Sequence, residues 1–260
     1  MDGTNAPPDP DARPPLPTLD VAWPIIERDA DGTVHVDHPI TATLSTISGD
    51  GLKLATIGSA NEALRNGNFS DGIYIDAHDL VPSGPYLDDG RNNAVAQYLA
   101  NHDTDFFFCV DSDVEFTRLD IARVLYLAVN RGCHIVSGCY KTPLNGNPDR
   151  TFTVAYRYDR ARPEGTQMVA IEETEVRASY DPLPVDVVGM GFVAISRQFL
   201  TYMAQFYDQP CPWFYEPIAD RTHLGEDVGF CLRARALGAE ILLDRATRVV
   251  HYKTARFAYD

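Results

Sequence analysis

The stretch Phe106-Phe107-Phe108-Cys109-Val110-Asp111-Ser112-Asp113-Val114-Glu115-Phe116, FFFCVDSDVEF, decides the fold. Five consecutive apolar residues followed by turn-forming ones read as a strand buried on both faces, the kind found in a parallel sheet. The run then stops at two aspartates one residue apart. Adjacent carboxylates repel unless a cation lies between them or water surrounds them. The chain contains three other DxD pairs, Asp9-Asp11, Asp29-Asp31 and Asp103-Asp105, all in polar sequence or ahead of the strand, where a solvated turn explains them. Only Asp111-Ser112-Asp113 falls at the carboxyl end of a predicted central strand, where open α/β sheets bind ligands. A hard divalent cation shared with phosphate oxygens would remove the repulsion. A solvated turn remains the alternative at this point.

Outward from that strand, secondary-structure signals alternate. Strands are expected at 40–47, 73–76, 106–110 and 134–139. Helices are expected at 52–65, closed by Gly67, at 92–101, and from a Thr117–Asp120 capping box to Arg131. Such alternation predicts a mainly parallel sheet covered by helices. The second half changes character: strands with polar alternation at 151–158 and 167–171 flank the turn signal Pro163-Glu164-Gly165, and Val185 to Ile195 is apolar but broken by Gly189 and Gly191. Gly225-Glu226-Asp227 opens a helix that Gly238 ends, and short strands at 241–243 and 248–251 follow. The expected organisation is a Pro/Asp-rich disordered tail over 1–30, with the fold starting in the twenties or thirties. A single domain over 31–260 follows, with 40–145 as its nucleotide-sugar half and 146–260 as its acceptor half.

Composition narrows the function classes. The 260 residues carry 37 acidic and 22 basic side chains, a net charge of -15, which argues against non-specific attraction to nucleic acid. The five cysteines form no CxxC, so buried free thiols are expected rather than a zinc site or disulfide framework. No apolar run approaches the roughly 18 residues of a membrane span and no signal-peptide pattern opens the chain, so a soluble, cytoplasmic protein without stable membrane association is expected.

Carboxylates in the first turn of a helix are common, being favoured by the dipole. Yet Gly225-Glu226-Asp227, with His251 at a strand end about two dozen residues later, supplies an imidazole to set beside Asp111 and Asp113. That O,O,N set suits Mn2+ or Mg2+ holding a diphosphate. In this order, DFFFCVDSDVEF, the glycine-rich VVGMGFVAISRQF and GEDVGFCLRARALGAEILLDRATRVVHYK resemble a GT-A-fold glycosyltransferase, similar to family 2 enzymes and related bacterial and phage sequences; the likeness runs from about Ile40 to Lys253. It implies a Rossmann-like α/β fold with a smaller mixed or antiparallel sheet on the acceptor side, and a nucleotide-diphosphate sugar as donor. Asp113 would ligate the metal, Asp111 the metal or the donor ribose, and His251 would be the third protein ligand. Asp227, or Glu226 beside it, would take the proton from the acceptor hydroxyl, with inversion favoured and retention as the alternative.

Further donor-binding candidates are Thr46 and Asp76 at the ends of the first two strands, the pair Arg91-Asn92, Ser112, Lys141, Gly189 and Gly191. Consecutive aspartates after the second strand, common in the family, are missing here, where the chain reads Tyr74-Ile75-Asp76-Ala77-His78-Asp79. Trp213 could stack on an acceptor sugar or simply pack in the core. The segment from Gln209 to Leu224 is expected to be a partly mobile loop that orders when donor binds. A nucleotidyltransferase is the rival enzyme class, though its glycine-rich basic loop corresponds here to Ser48-Gly49-Asp50-Gly51-Leu52-Lys53, with one lysine. A binding protein without turnover is the other. A saccharide, a protein hydroxyl, a lipid-linked sugar and a hydroxylated nucleobase of phage DNA all remain open as acceptors.

Overall fold

Seven strands make one sheet, and its direction pattern follows from the sequence runs just described. The structure is a computed structural model; it describes residues 14–48, 52–65, 71–144, 147–159, 161, 167–207, 210–219 and 222–252. In chain order the sheet strands are β1 (Ile40–Ser48), β2 (Ile73–Pro82), β3 (Phe106–Asp111), β4 (Ile135–Cys139), β5 (Leu183–Val185), β6 (Phe192–Ser196) and β7 (Ile241–Arg248). Their spatial order is β5-β7-β4-β6-β3-β1-β2. Strands β2, β1, β3, β4 and β7 run in one direction; β6 is antiparallel to both β3 and β4, and β5 is antiparallel to β7. The result is a mainly parallel, Rossmann-like sheet in which β6, from the second half of the chain, lies between two first-half strands. A smaller antiparallel sheet joins Met168–Ala170, Ala155–Tyr158 and Val187–Val188.

Period-two alternation of β3 divides the interior. Phe107 and Cys109 face one side with Val193 and Ile195, under helices α2 (Leu87–Asn101), α5 (Arg197–Met203) and α6 (Glu226–Ala236). Phe106, Phe108 and Val110 face the other with Phe192 and Ala194, under α1 (Leu54–Arg65) and α3 (Arg118–Arg131). A short helix α4, Glu173–Arg177, adds Val176 to the Phe107 side. Helix α3 begins with the capping box read from sequence: Thr117 accepts from the Asp120 amide while the Asp120 side chain accepts from the Thr117 amide. It ends at Gly132 with φ 60°, a left-handed position that favours glycine.

Several expectations shift. Strand β2 runs to Pro82, six residues past Asp76, because it stays paired with β1 through a register shift, from Ile40 opposite Ile73 to Ser48 opposite Pro82; the shift turns Ile75 and Val81 to opposite faces. The Val185 to Ile195 run falls into three short strands, broken at Asp186 and again at Gly189 to Gly191. The tail is docked from Pro14: the Tyr202 hydroxyl donates to the Pro14 carbonyl at 2.6 Å and His134 Nε2 to that of Pro17 at 2.6 Å, while Leu16, Leu19 and Val21 pack on the two cores. Its few apolar side chains are enough to hold this stretch. A hairpin, Ile25–Arg28 with Val34–Asp37, follows it. Gly67, Gly49 to Gly51 and Pro163-Glu164-Gly165 lie outside the described residues. The five cysteines are free, four of them buried, and among the described residues no helix is long and apolar enough to cross a membrane.

Phe192 stacks edge-on against Phe108 at 4.8 Å between centroids and tilts on Phe116 at 5.4 Å. Phe192→Ala is expected to cost about 3–5 kcal/mol, read as a lower urea midpoint with an unchanged denaturant slope; a loss under about 1 kcal/mol would show that this cluster is not the packing centre.

Candidate metal and catalytic site

The parallel strands all end on one edge, and β6, running the other way, starts there. Asp111 closes β3, Tyr140 follows β4, Gly189 to Gly191 precede β6, and Val249 to His251 follow β7. The Asp111 amide donates to the Gly191 carbonyl at 3.0 Å. A two-residue antiparallel bridge sets His251 opposite Val114, and the Tyr252 amide donates to the Asp113 carbonyl at 2.7 Å. Residues some 140 positions apart are thereby fixed side by side. Asp111, Asp113 and His251 each offer one ligand atom within 4.8 Å of the others.

The His251 ring shows what this cluster is suited to hold. Its Nδ1 is 3.0 Å from the Lys141 carbonyl, which can only accept, so Nδ1 donates there and Nε2 is the ring atom left to bind a metal ion. Nε2 is buried with no hydrogen-bond partner, although it lies 3.1 Å from Asp113 Oδ1, outside hydrogen-bond geometry. At 3.1 Å the Asp113 carboxylate needs positive charge on or beside Nε2, which a bound cation supplies. The Nδ1 hydrogen bond, the two carboxylates and the unsatisfied nitrogen therefore fit a divalent ion. Tyr140 walls the site, its ring edge-on to His251 at 5.2 Å between centroids. Burial, then the nearby Asp111, raises its hydroxyl well above the usual tyrosine range.

Beside the cluster lies a second, buried network. Arg91 is 3% exposed. Its Nη2 donates to Asp111 Oδ1 at 2.9 Å, its Nε to Glu226 Oε1 at 2.8 Å, and its Nη1 to the Cys109 sulfur at 3.1 Å and the Met190 carbonyl at 3.3 Å. Burial opposes the charge, but Asp111 and then Cys109, Glu226 and Asp227 hold the guanidinium protonated well above its ordinary range. Gly90, next to it, lets α2 approach: a Cβ there would sit 2.5 Å from the Ser83 Cα. Asp227, in the first turn of α6, has its carboxyl pushed up to about 6. Burial is the main cause and Glu226 the next, against the opposing pull of Arg91 and of the Val228 amide. Two adjacent carboxylates thus differ: Glu226 is clamped by the arginine, while Asp227 makes its protein hydrogen bond to the neighbouring Val228 amide at 2.8 Å.

The remaining sequence candidates lie around this network or away from it. Arg91 and Asn92 are buried and committed to protein partners. The Asn92 amide donates to the Asp88 and Phe214 carbonyls, at 2.8 and 2.9 Å, and accepts from the Trp213 and Phe214 amides, pinning the loop ahead of α6. Trp213 is a core residue, 4% exposed, with its indole N–H on the Leu200 carbonyl at 2.9 Å, so no ring face is presented to an acceptor. The 209–224 loop is therefore anchored at Trp213 and Phe214; Gln209 itself lies outside the described residues. Asp76 is mid-strand, away from the carboxyl edge, accepting from Thr43 Oγ1 at 2.7 Å and lying 3.0 Å from His102 Nδ1. Thr46 is buried against His78 Nε2 at 2.8 Å. The Ser112 carbonyl accepts from the Lys53 amide and Thr56 Oγ1, tying the turn to the start of α1. The Lys141 ammonium is paired with Glu173. Gly189 and Gly191 make room for Tyr140: a Cβ on Gly191 would lie 2.8 Å from its ring and one on Gly189 would overlap its hydroxyl. Sequence reasoning missed the Arg91 clamp and the Tyr140 wall. The only signal for the clamp was an arginine in an otherwise buried helix face.

No protein-family model and no curated protein matches the sequence. Among solved structures, the chain resembles A197 from STIV with a TM-score of 0.53 at 18% identity, over 83% of this chain and 87% of that one. It also resembles GalNAc-T7, solved with UDP, GalNAc and Mn2+, with a TM-score of 0.54 at 12% identity over 87% of this chain. It spans about half of that longer protein, 47%. These likenesses define the fold as GT-A-like.

The raised Asp227 carboxyl makes a stability prediction. A group whose folded pKa lies above its unfolded value stabilises the fold below the unfolded pKa and loses that contribution as pH rises through about 6. Asp227→Asn is therefore expected to raise stability by ~1–3 kcal/mol at pH 8 and leave it nearly unchanged at pH 3.5, as measured by denaturant midpoints. Equal effects at the two pH values would contradict the assignment.

Proposed function

We propose that this chain is a metal-dependent glycosyltransferase that moves a sugar from a nucleotide-diphosphate donor to an acceptor hydroxyl. The observation that carries the reading is the unsatisfied His251 Nε2 facing the Asp113 carboxylate, with Asp111 within reach. Asp111, Asp113 and His251 would hold Mn2+ or Mg2+. When bound, that ion supplies Lewis-acid stabilisation of the diphosphate leaving group. The GT-A-like fold supports the reading, as does the presence of UDP, GalNAc and Mn2+ in the GalNAc-T7 structure.

The chain's own residues then divide the work. Asp227 accepts the proton of the acceptor hydroxyl as that oxygen bonds to the sugar carbon; the bond from that carbon to the diphosphate breaks, and the nucleoside diphosphate leaves with the electron pair. A carboxyl poised near 6 is ionised at neutral pH yet basic enough for this role. Glu226 is unsuited to it, because Arg91 holds it in a buried ion pair. Arg91 orients Asp111 and, through Glu226, the first turn of α6. One-step displacement with inversion is the outcome that a base of this kind serves; the anomeric configuration of the product, read by NMR, separates it from retention.

Incubation with a panel of nucleotide sugars, acceptors and Mn2+ is expected to release nucleoside diphosphate. Release of pyrophosphate would instead indicate nucleotidyl transfer, and binding without release a non-catalytic protein. Asp113→Ala is expected to abolish metal-dependent donor binding. Asp227→Asn should keep donor affinity and lower kcat by about 10²–10⁴-fold; an unchanged kcat removes Asp227 from the mechanism. The parent's rate should rise with pH through about 6, as the Asp227 carboxyl ionises.

A further inference from the structure

A cleft of about 430 Å3 opens on the His251 side of the ligand cluster, within the size range of small-molecule sites. Its walls come from the end of β4 onward: the residues after Cys139, helix α4, and the Arg248 to His251 segment. Arg91, Asp111, Asp113, Glu226 and Asp227 do not line it. Pro143, Val176, Val249 and Tyr140 give the lining much of its apolar surface, and Thr151 and Thr153 also border it.

The charge of this lining runs against that of the chain. Acidic residues outnumber basic ones 37 to 22 overall, yet the cleft collects Lys141, Arg177 and Arg248 against one carboxylate, Glu173. Glu173 pairs with both Lys141 and Arg177, holding two cations along one wall and lying between them. Arg248 borders both this cleft and the neighbouring hollow that holds Tyr180; its Nε donates to the Arg245 carbonyl at 3.1 Å and its guanidinium lies 5.9 Å from the Tyr180 ring. Cations concentrated in a concave, partly apolar cleft of an acidic protein recognise an anion carried on a body with an apolar face.

We propose that this cleft anchors a phosphate or carboxylate group of a saccharide acceptor, away from the hydroxyl that reacts. The inference rests on the donor reading above, which gives the diphosphate to the ion and leaves these side chains for the other substrate. A sugar ring offers C–H faces to the apolar side chains of the lining, and its anionic substituent offers acceptors to Arg177 and Arg248. Such remote binding energy helps hold the reacting hydroxyl in place.

The test is calorimetric titration of the full chain, with Mn2+ and either UDP or GDP present, using glucose 6-phosphate, glucuronate and glucose as probes. The two anionic sugars are expected to bind at least tenfold more tightly than glucose, and the stronger of them identifies the group. Arg177→Ala combined with Arg248→Ala should weaken anionic-sugar binding at least tenfold. Glu173→Gln, which removes the competing carboxylate, should strengthen it about threefold, a gain that misfolding cannot produce. Affinity for the nucleoside diphosphate with Mn2+ should be the same in all variants. Equal binding of glucose and glucose 6-phosphate overturns the proposal. So does a parallel loss of nucleoside diphosphate affinity in the double variant, which would assign the cleft to the donor, or a short oligonucleotide outcompeting both sugars. If the parent binds no nucleoside diphosphate, the donor reading fails, while the sugar titrations still decide the cleft.

Discussion

One buried guanidinium makes the acidic edge of this sheet foldable. Asp111, Glu226 and Asp227 converge where strand ends and the start of α6 meet, and in a poorly hydrated site their mutual repulsion would push the elements apart. Arg91 lies between them and donates to two of the three carboxylates. Its position is fixed in turn by Gly90, which brings α2 against the end of β2, and by Asn92, which ties α2 to the loop leading into α6. Removing one member of such a buried network leaves its partners uncompensated, a much larger cost than an exposed pair would bring.

Arg91 serves Asp111 and Glu226, and it leaves Asp113 and His251 to one another. The fold holds these two together through backbone hydrogen bonds, a two-residue bridge and a Tyr252 amide bond, which do not depend on side-chain charge. The site is thus built in two parts: one acidic group neutralised internally by arginine, and one arranged to share an external cation. The same arrangement differentiates the neighbouring carboxylates of α6. Glu226 takes the arginine and becomes a structural group, while Asp227 is left partly desolvated, with a carboxyl shifted toward the range of a general base.

Much of this was legible in the sequence. The apolar strand β3 ending at Asp111, the capping box of α3, the start of α6 at Gly225-Glu226-Asp227 and the strand end at His251 fall where the sequence places them, because each depends on local patterning. What depended on long-range placement did not. A short window around Asp76 shows a plausible strand end, but β2 continues because β1 goes on pairing with it as far as Pro82, a fact about the sheet. Arg91 and Asn92 read as polar groups at a helix start; only the tertiary structure shows that carboxylates from β3 and α6 and carbonyls from a distant loop consume their hydrogen bonds. Gly189 and Gly191 signal close approach, but the sequence does not say that the approaching group is the Tyr140 ring. Trp213 had core packing as its ordinary explanation, and the Leu200 carbonyl supplies the partner its indole needs.

The central claim is that Asp111, Asp113 and His251 share one divalent cation. Crystals grown with Mn2+ and a nucleoside diphosphate, measured at the manganese absorption edge, test it most directly. An anomalous peak bonded to the Asp113 carboxylate and to His251 Nε2, and absent in His251→Ala, is the predicted result; a peak elsewhere on the molecule, or an unaltered peak in that variant, would contradict it.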